Sequence, residues 1–434
     1  MKRSLELVSL ALFTCLGSGG LARGQVAINV DPTLPSDIAG GAPAATLQQA
    51  AAFAWQEFIA LNWPALVGSG QRDEPDTNQK FGTGSGPLVW ETFRSKVEIF
   101  NLIKDADGND VPPGYSKDAP YGYYNTPPAY FYRAKLVPAC LLEAEPAAPA
   151  WINLDETTQI SLDQMFAGGP PIEEHDTGNT SPQLIRFAVK ANHVEYEYVA
   201  EKQYYLSGSN SAKEMAATNN INAYAKTRPP VAPASPFISF NPGTVEIKSA
   251  WRPLNAYDNP ARFHVQTVRF YENKGPDNAP CYFEQKWGLI ALHIIQKTPS
   301  APAFIYATFE QADNIRQPNA APVEDPDGNV INPPSDATPT TPALAYEDSP
   351  NAPKVTVTPK GAPFCTPQNN LYFKDNPNDA GLTGGGAICV NQRYEPIPPD
   401  VIAVNNAAHV AITGYDTANG IANSPWLYYK LVSV

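Results

Sequence analysis

Four ionisable residues have a spacing that would place them on one face of a β-sheet. Glu246 and Lys248 alternate with apolar residues in a β-branched segment, and His293 and Glu310 lie in two later segments of the same kind. Residues two apart on a strand share a face, so neighbouring strands would bring the four side chains together. Because a buried charge needs a partner, the cluster predicts a structural ion-pair network. A proton-transfer site of a hydrolase or lyase is the alternative.

His293 lies in the most apolar of these segments, Leu289–Ile295. Apolar residues occupy both alternating sets of positions there, which is typical of a central strand covered on both sides. Strict alternation puts Trp287 and Leu289 on the same face as His293. We therefore expect a buried His293, which is more often a hydrogen-bonded core residue than a metal ligand.

A second group of oxygen-bearing residues resembles the start of a calcium loop. Asp105, Asp107 and Asn109 occupy alternate positions, as the first three ligands of an EF-hand do. However, Asp110 stands where glycine is required, and the glutamate expected at position 12 is missing. Residues 325–329 show a similar pattern of Asp, Gly and Asn. Asp-Gly and Gly-Asn are strong turn formers, so we favour a tight turn at both places and keep calcium as the alternative.

Other motifs for catalysis or cofactor binding are absent from the sequence. None of the five histidines is four residues from another, so an HExxH metal site is excluded. No GxSxG or SxxK nucleophile motif occurs. No CxxC pair occurs either, which excludes a thioredoxin-like site and covalent c-type haem attachment within this chain. The sequence shows no evident cofactor and favours a protein that is not an enzyme.

The N-terminal segment predicts export. Lys2 and Arg3 precede an apolar run, Leu7–Leu16, and a small-x-small pattern ends at Ala22. This arrangement is typical of a secretory signal peptide, so we predict a signal at 1–22 with cleavage after Ala22. No stretch has the 20 apolar residues of a transmembrane helix. We expect a soluble periplasmic or secreted protein.

The cysteine count agrees with export. Cleavage removes Cys15 and leaves Cys140, Cys281, Cys365 and Cys389. An even number of cysteines in an exported chain suggests disulfides. We favour Cys365–Cys389, which would close a moderate loop, with Cys140–Cys281 following by default. Two buried free thiols are the alternative.

Composition limits the class of protein and of partner. The chain has 434 residues, of which 45 are proline and 29 glycine, and 43% are hydrophobic. Proline interrupts helices, so a helical bundle is disfavoured. The hydrophobic content is high enough for a sizeable core. The net charge is −13, from 43 acidic and 30 basic residues. Nucleic-acid binding requires a basic surface and is therefore disfavoured.

The elements that must hold these residues follow from periodicity. Residues 46–63 predict an amphipathic helix that begins with a capping box of Thr46 and Gln49 and ends before Pro64. Residues 88–103 fit either a strand or a helix. Segments rich in β-branched and aromatic residues predict a series of strands: Gln183–Ala200, Thr244–Trp251, Phe263–Tyr271, Tyr282–Lys297 and Phe304–Gln311.

These elements predict one large domain. Short, non-helical connectors suit antiparallel strands, so we expect an α+β fold with a mainly antiparallel sheet, the N-terminal helix and long proline-rich loops. An extended leader occupies 23–45, the domain spans 46–434, and a long loop interrupts it at 312–364. For the C-terminal part from 401 we expect only a short strand.

Several segments together resemble a family of exported bacterial proteins, and the resemblance covers roughly residues 50–434. Some members are called cytochrome-c-family because a CxxCH haem motif follows near their C-terminus. That motif is absent here, so the resemblance does not carry a haem to this chain. The segments that carry the resemblance are Trp55–Pro64, Val89–Phe93, Val245–Trp251, Gly288–Pro299 and Thr308–Asn314.

Three functional hypotheses follow. The first is an exported binding or accessory protein for a small molecule, glycan or protein, because amphipathic aromatic side chains suit such ligands. Its predicted ligand contacts are Trp90, Glu91, Trp251, Tyr123 and Tyr124; packing of the tyrosine-rich loop is the alternative for the two tyrosines. The second, implied only by the resemblance, is a periplasmic redox accessory. The third is a hydrolase or lyase that uses the ionisable cluster.

Overall fold

The structure is a computed structural model. It describes residues 27–67, 72–100, 103–104, 106–112, 138–140, 150–154, 165–167, 183–206, 212–227, 233–254, 258–272, 275–301, 303–314, 322–332, 366–373, 386–390, 393, 395–422 and 424–434. The predicted signal peptide, Asp105, Tyr123, Tyr124 and most of the 312–364 loop lie outside these residues.

The described α-helices are α1 (Leu47–Leu61), α2 (Lys96–Ile99), α3 (His193–Lys202), α4 (Ala212–Thr227) and α5 (Pro399–Asn419). α1 coincides with the helix expected at 46–63. The Thr46 hydroxyl accepts from the Gln49 N–H, and the Gln49 side chain accepts from the Thr46 N–H, so the capping box is present. From Ala51 to Leu61 the helix is buried except at Gln56, so it lies inside the molecule rather than on its surface.

Two helices occupy places where the sequence predicted strands. The expected strand Gln183–Ala200 stops at Ala191, because the Asn192 side chain accepts from the Glu195 N–H and caps α3. α5 occupies a region where only a short strand was expected. Its many alanine residues favour a helix. However, its apolar residues recur only weakly at helical spacing, so the sequence did not predict it.

The strands are β1 (Arg94–Ser95), β2 (Ile103–Lys104), β3 (Asp110–Val111), β4 (Ile152–Leu154), β5 (Met165–Ala167), β6 (Gln183–Leu184), β7 (Arg186–Ala191), β8 (Val245–Arg252), β9 (Val265–Glu272), β10 (Cys281–Lys297), β11 (Phe304–Gln311), β12 (Thr366–Phe373), β13 (Gly386–Val390) and β14 (Tyr429–Ser433).

Eight of these strands form the main sheet, in the order β1-β7-β8-β10-β11-β14, with β9 on β10 and β4 on β9. β4 runs parallel to β9, while the other pairings are antiparallel. The fold is therefore α+β, but the sheet is mixed, which corrects the expected antiparallel sheet. The parallel pair arises because β4 reaches β9 through a long connection rather than a hairpin.

β10 is the central strand, and it changes partners along its 17 residues. Its first half pairs with β9, and its second half lies between β8 and β11. The change occurs at Gly288, which pairs with both β8 and β9. A Cβ at Gly288 would lie 2.6 Å from a methyl carbon of Leu254, so a larger residue here would require the Leu254 side chain to move.

A β-bulge between Leu289 and Ala291 overturns the expected alternation along β10. Leu289 pairs with Trp251 and Leu292 with Ser249, so both leucines face the inner side of the sheet. His293 faces the outer side and is partly exposed, not buried. The expectation failed because the bulge adds one residue, and because the outer side of β10 is only partly covered.

The two sides of the sheet have different environments. On the inner side, Phe309 of β11 packs on Trp55 and Phe58 of α1 at ring-centroid distances of 5.1 and 4.3 Å. Away from α1, β4 comes into contact with β7. The sheet therefore curls into a nearly closed barrel made of β7, β8, β10, β9 and β4. The barrel interior is continuous with the core under α1.

Candidate functional site

The predicted ionisable cluster lies on the outer side of the sheet. In register, Lys248 of β8 is opposite His293 of β10, and His293 is opposite Thr308 of β11. We call these three residues the Lys248 row. His293 Nδ1 lies 2.8 Å from Thr308 Oγ1. The His293 ring stacks against Tyr306 at 5.8 Å, and 52% of Tyr306 is exposed, so the row is open to solvent.

Lys248 has no salt bridge to a carboxylate among the described residues. Its ammonium lies over the Phe187 ring, 5.2 Å from the centroid. Burial lowers the pKa of His293, and the positive charge of Lys248 lowers it further. The row therefore holds one half-buried cation beside an imidazole.

Two carboxyl groups lie beside the row. Burial, together with the nearby Glu246 carboxyl, raises the pKa of Glu195 to about 8. Burial also raises the pKa of Glu246, while Lys248 opposes that shift. Glu195 Oε2 is buried without a hydrogen-bond partner. Burial thus disfavours the ionised form of both groups, and neither forms a salt bridge with Lys248 within the described residues.

Glu310, the fourth predicted member, is held elsewhere. Its carboxylate binds the Arg393 guanidinium. Arg393 also donates from Nε to Glu324 Oε1 at 2.6 Å, and Lys430 Nζ lies 3.1 Å from Glu324. These carboxylates raise the pKa of Arg393 against the effect of burial. The structure thus groups Glu246, Lys248 and His293, and it places Glu310 in a separate ion-pair network.

Three of the predicted ligand contacts meet at one end of the barrel. The rings of Trp90 and Trp251 lie 6.2 Å apart, and Trp251 lies 6.0 Å from the ring of His264. His264 Nε2 lies 2.7 Å from Glu91 Oε1. The other oxygen of Glu91 accepts from the Leu88 N–H at 2.9 Å.

Their burial and contacts indicate that Trp90, Glu91 and Trp251 hold His264 in place rather than contact a ligand themselves. Trp90, Glu91 and Trp251 have no exposed surface, whereas 12% of the His264 side chain is exposed. The ring of His264 also stacks on Trp426 at 5.1 Å. From the sequence, His264 is predicted only to lie in the strand Phe263–Tyr271. The sequence signal for His264 was Glu91. This acidic residue lies between aromatic residues, and once buried its carboxylate needs a partner such as a histidine.

The candidate calcium residues lie in turns. Asp107 and Asn109 belong to the connection between β2 and β3, where Gly108 has φ +82°. In the second such segment, Asp325 accepts from the N–H groups of Gly328 and Asn329, both at 2.8 Å. Within the described residues, no group of three or more His, Cys, Asp or Glu could hold a metal ion.

One predicted cysteine pair is at disulfide distance. The sulfur atoms of Cys140 and Cys281 are 2.13 Å apart, and the bridge joins the start of β10 to the segment 138–140. Cys365 lies outside the described residues. Cys389 is in β13, in register with Pro367. The Cys365–Cys389 pairing stays a prediction.

An open cavity of about 590 Å³ lies between the leader, α1 and α5. We call it the leader cleft. No sequence pattern predicts this cleft, because its residues are distant in the chain. It is lined by Ile28, Asn29, Val30, Asp31, Thr33, Pro35, Gln56, Ala411 and Tyr415.

The polar groups of the leader cleft are largely unengaged. Within the described residues, the side chains of Asn29, Thr33 and Gln56 make no hydrogen bond to the protein, and one oxygen of Asp31 accepts from the Thr33 N–H at 2.8 Å. The Tyr415 hydroxyl accepts from the Phe81 N–H at 3.4 Å. Among the described lining residues, Asp31 is the only charged one. The cleft therefore offers amide and hydroxyl groups to a ligand.

In the part of the chain that the structure describes, no helix has both the length and the apolar character to cross a membrane. Comparison with known proteins found no matching family model, no matching curated protein and no matching solved structure.

Proposed function

We propose that this chain is an exported binding protein that holds a small, uncharged, hydroxyl-rich ligand, such as a mono- or disaccharide, in the leader cleft. The observation that carries the proposal is a cavity of about 590 Å³ in which the side chains of Asn29, Thr33 and Gln56 make no hydrogen bond within the described residues. Ligand pockets typically have volumes of about 300–1,000 Å³ and a few convergent polar groups.

The lining chemistry selects the ligand class. The amides of Asn29 and Gln56 each donate and accept hydrogen bonds, as the hydroxyl groups of a sugar do. The ring of Tyr415 adds an apolar surface with a polar edge. Without a cation in the described lining, and with Asp31 at its rim, the cleft disfavours an anionic ligand.

Export is supported by two independent features. The N-terminal 22 residues fit a signal peptide, and Cys140 and Cys281 are at disulfide distance, which suits an oxidising compartment. We expect expression of the full-length chain in a bacterium to give a periplasmic or secreted product that begins after Ala22. N-terminal sequencing of the fractionated protein would test this, and an uncleaved cytoplasmic product would contradict it.

Binding is tested by calorimetric titration of the mature protein with a panel of neutral mono- and disaccharides. We expect at least one sugar to bind, and Gln56→Ala to weaken that binding about tenfold, which corresponds to about 1.4 kcal/mol. Thr413→Ala is the matched control, because Thr413 is exposed on α5 and does not line the cleft. The proposal fails if no sugar binds, or if both variants bind like the wild type.

A further inference from the structure

We propose that the Lys248 row is a second binding site, which takes the oxyanion of a small ligand: a phosphate, sulfate or carboxylate group. This site is on the opposite side of the sheet from α1. It does not depend on the function proposed for the leader cleft.

The charge of Lys248 is the first feature that favours an anion at this place. Lys248 is half-buried and forms no salt bridge to a carboxylate within the described residues, although Glu246 is two residues away on the same face. Burial favours the neutral form of both nearby carboxyl groups, Glu195 and Glu246. A half-buried cation without a salt bridge is stabilised when an external anion pairs with it.

The geometry of the neighbouring groups also favours an anion. Adjacent strands are about 4.8 Å apart, so Lys248, His293 and Thr308 form a straight line across three strands. The contact between His293 Nδ1 and Thr308 Oγ1 fixes the ring, with a further hydrogen bond to the Ala307 backbone, and the proposed site uses Nε2 toward the ligand. One oxyanion between Lys248 and His293 could accept from the ammonium and from a protonated imidazole at once.

The net charge of −13 does not oppose this site at short range. Charges farther than about 8 Å are largely screened at physiological ionic strength. The remaining titratable groups that face the row are Glu195 on α3, Glu246 on β8, and Tyr306 and Glu310 on β11. Glu310 is neutralised by Arg393. As pH falls, protonation of His293, Glu195 and Glu246 all strengthens anion binding.

The experiment is an NMR titration of the ¹³C-labelled histidines in the full mature chain, at pH 6.5 and constant ionic strength. The probes are inorganic phosphate, sulfate and acetate, with chloride as the ionic-strength reference. We expect one of the three anions to shift the His293 signal saturably and to raise the pKa of His293. The anion that does so separates phosphate or sulfate ligands from carboxylates.

Lys248→Met should weaken this binding at least tenfold, and Thr308→Val should weaken it by a smaller factor. Lys202→Met, an exposed lysine on α3, is the control and should leave it unchanged. Thermal melts establish that each variant is folded. The proposal is overturned if the three anions act no differently from chloride, or if folded Lys248→Met binds as the wild type does.

Discussion

Glu195→Gln should stabilise the protein at neutral pH. Glu195 lies in the first turn of α3, where its carboxyl is buried and Oε2 has no hydrogen-bond partner. Burial and the neighbouring Glu246 raise its pKa from 4.5 to about 8. At pH 7 the folded protein must therefore hold a proton on Glu195 that the unfolded chain has released.

The size of the effect follows from the pKa difference. An acid whose folded pKa is raised makes stability fall as pH rises from its unfolded pKa to its folded pKa. For Glu195 this window runs from 4.5 to about 8. Each pKa unit corresponds to 1.36 kcal/mol, so proton uptake costs about 3 kcal/mol at pH 7. Glutamine is neutral at every pH, and the substitution removes this cost.

The assay is urea unfolding of the wild type and of Glu195→Gln between pH 4 and pH 8. We expect the two free energies of unfolding to agree near pH 4 and to diverge in favour of the variant by about 1.4 kcal/mol per pH unit between pH 5 and pH 7. Glu201→Gln is the matched control, because Glu201 lies on the same helix and is exposed. It should not show this dependence.

One result would refute the reasoning. If the difference between wild type and Glu195→Gln is constant between pH 5 and pH 8, Glu195 does not take up a proton on folding. In that case Glu195 is ionised in the folded protein and can compensate the charge of Lys248. The main argument for an anion site at the Lys248 row would then be lost as well.

Three further predictions concern buried groups elsewhere in the chain. Glu57→Gln should also raise stability at pH 7, because burial raises the pKa of Glu57 well above its usual range and both carboxylate oxygens lack partners; chemical unfolding against pH measures this, and a less stable variant at pH 7 would contradict it. Cys281→Ser should lower the free energy of unfolding by about 2–5 kcal/mol; the same loss should follow when the wild type is reduced, and a wild type insensitive to reductant would argue against the bridge. Glu91→Gln should destabilise by about 1–3 kcal/mol, because the carboxylate binds both His264 and the Leu88 N–H; equal melting temperatures of variant and wild type would show that the contact contributes nothing.

The sequence predicted those helices and strands that are determined by residues close together in the chain. The Thr46–Gln49 capping box predicted the start of α1, since both partners lie within one helical turn. The period-2 pattern of β8 placed Glu246 and Lys248 on one face, and its pairing with β10 then brought Lys248 to His293. In both cases the residues are close in sequence or on adjacent strands.

Non-local features could not be predicted in the same way. The bulge at Leu289 reverses which side chains share a face with His293, and no residue type marks a bulge in an apolar run. Arg393 pairs with Glu310 from 83 residues away. The leader cleft joins residues near 30 with Gln56 and Tyr415. These contacts depend on tertiary packing, for which a single sequence carries no local signal.

The two proposed sites are connected only through the rigid core, and this makes each a control for the other. Thr308 of the Lys248 row is followed by Phe309, which packs on Trp55 and Phe58 of α1, while Gln56 of the same helix lines the leader cleft. Phe309, Trp55 and Phe58 are fully buried, and coupling between sites requires an element with two discrete arrangements. A close-packed core of this kind has one arrangement. Gln56→Ala should therefore leave anion binding intact, and Lys248→Met should leave sugar binding intact. If each folded variant impaired both ligands, the core between the cleft and the row would have to couple the two sites.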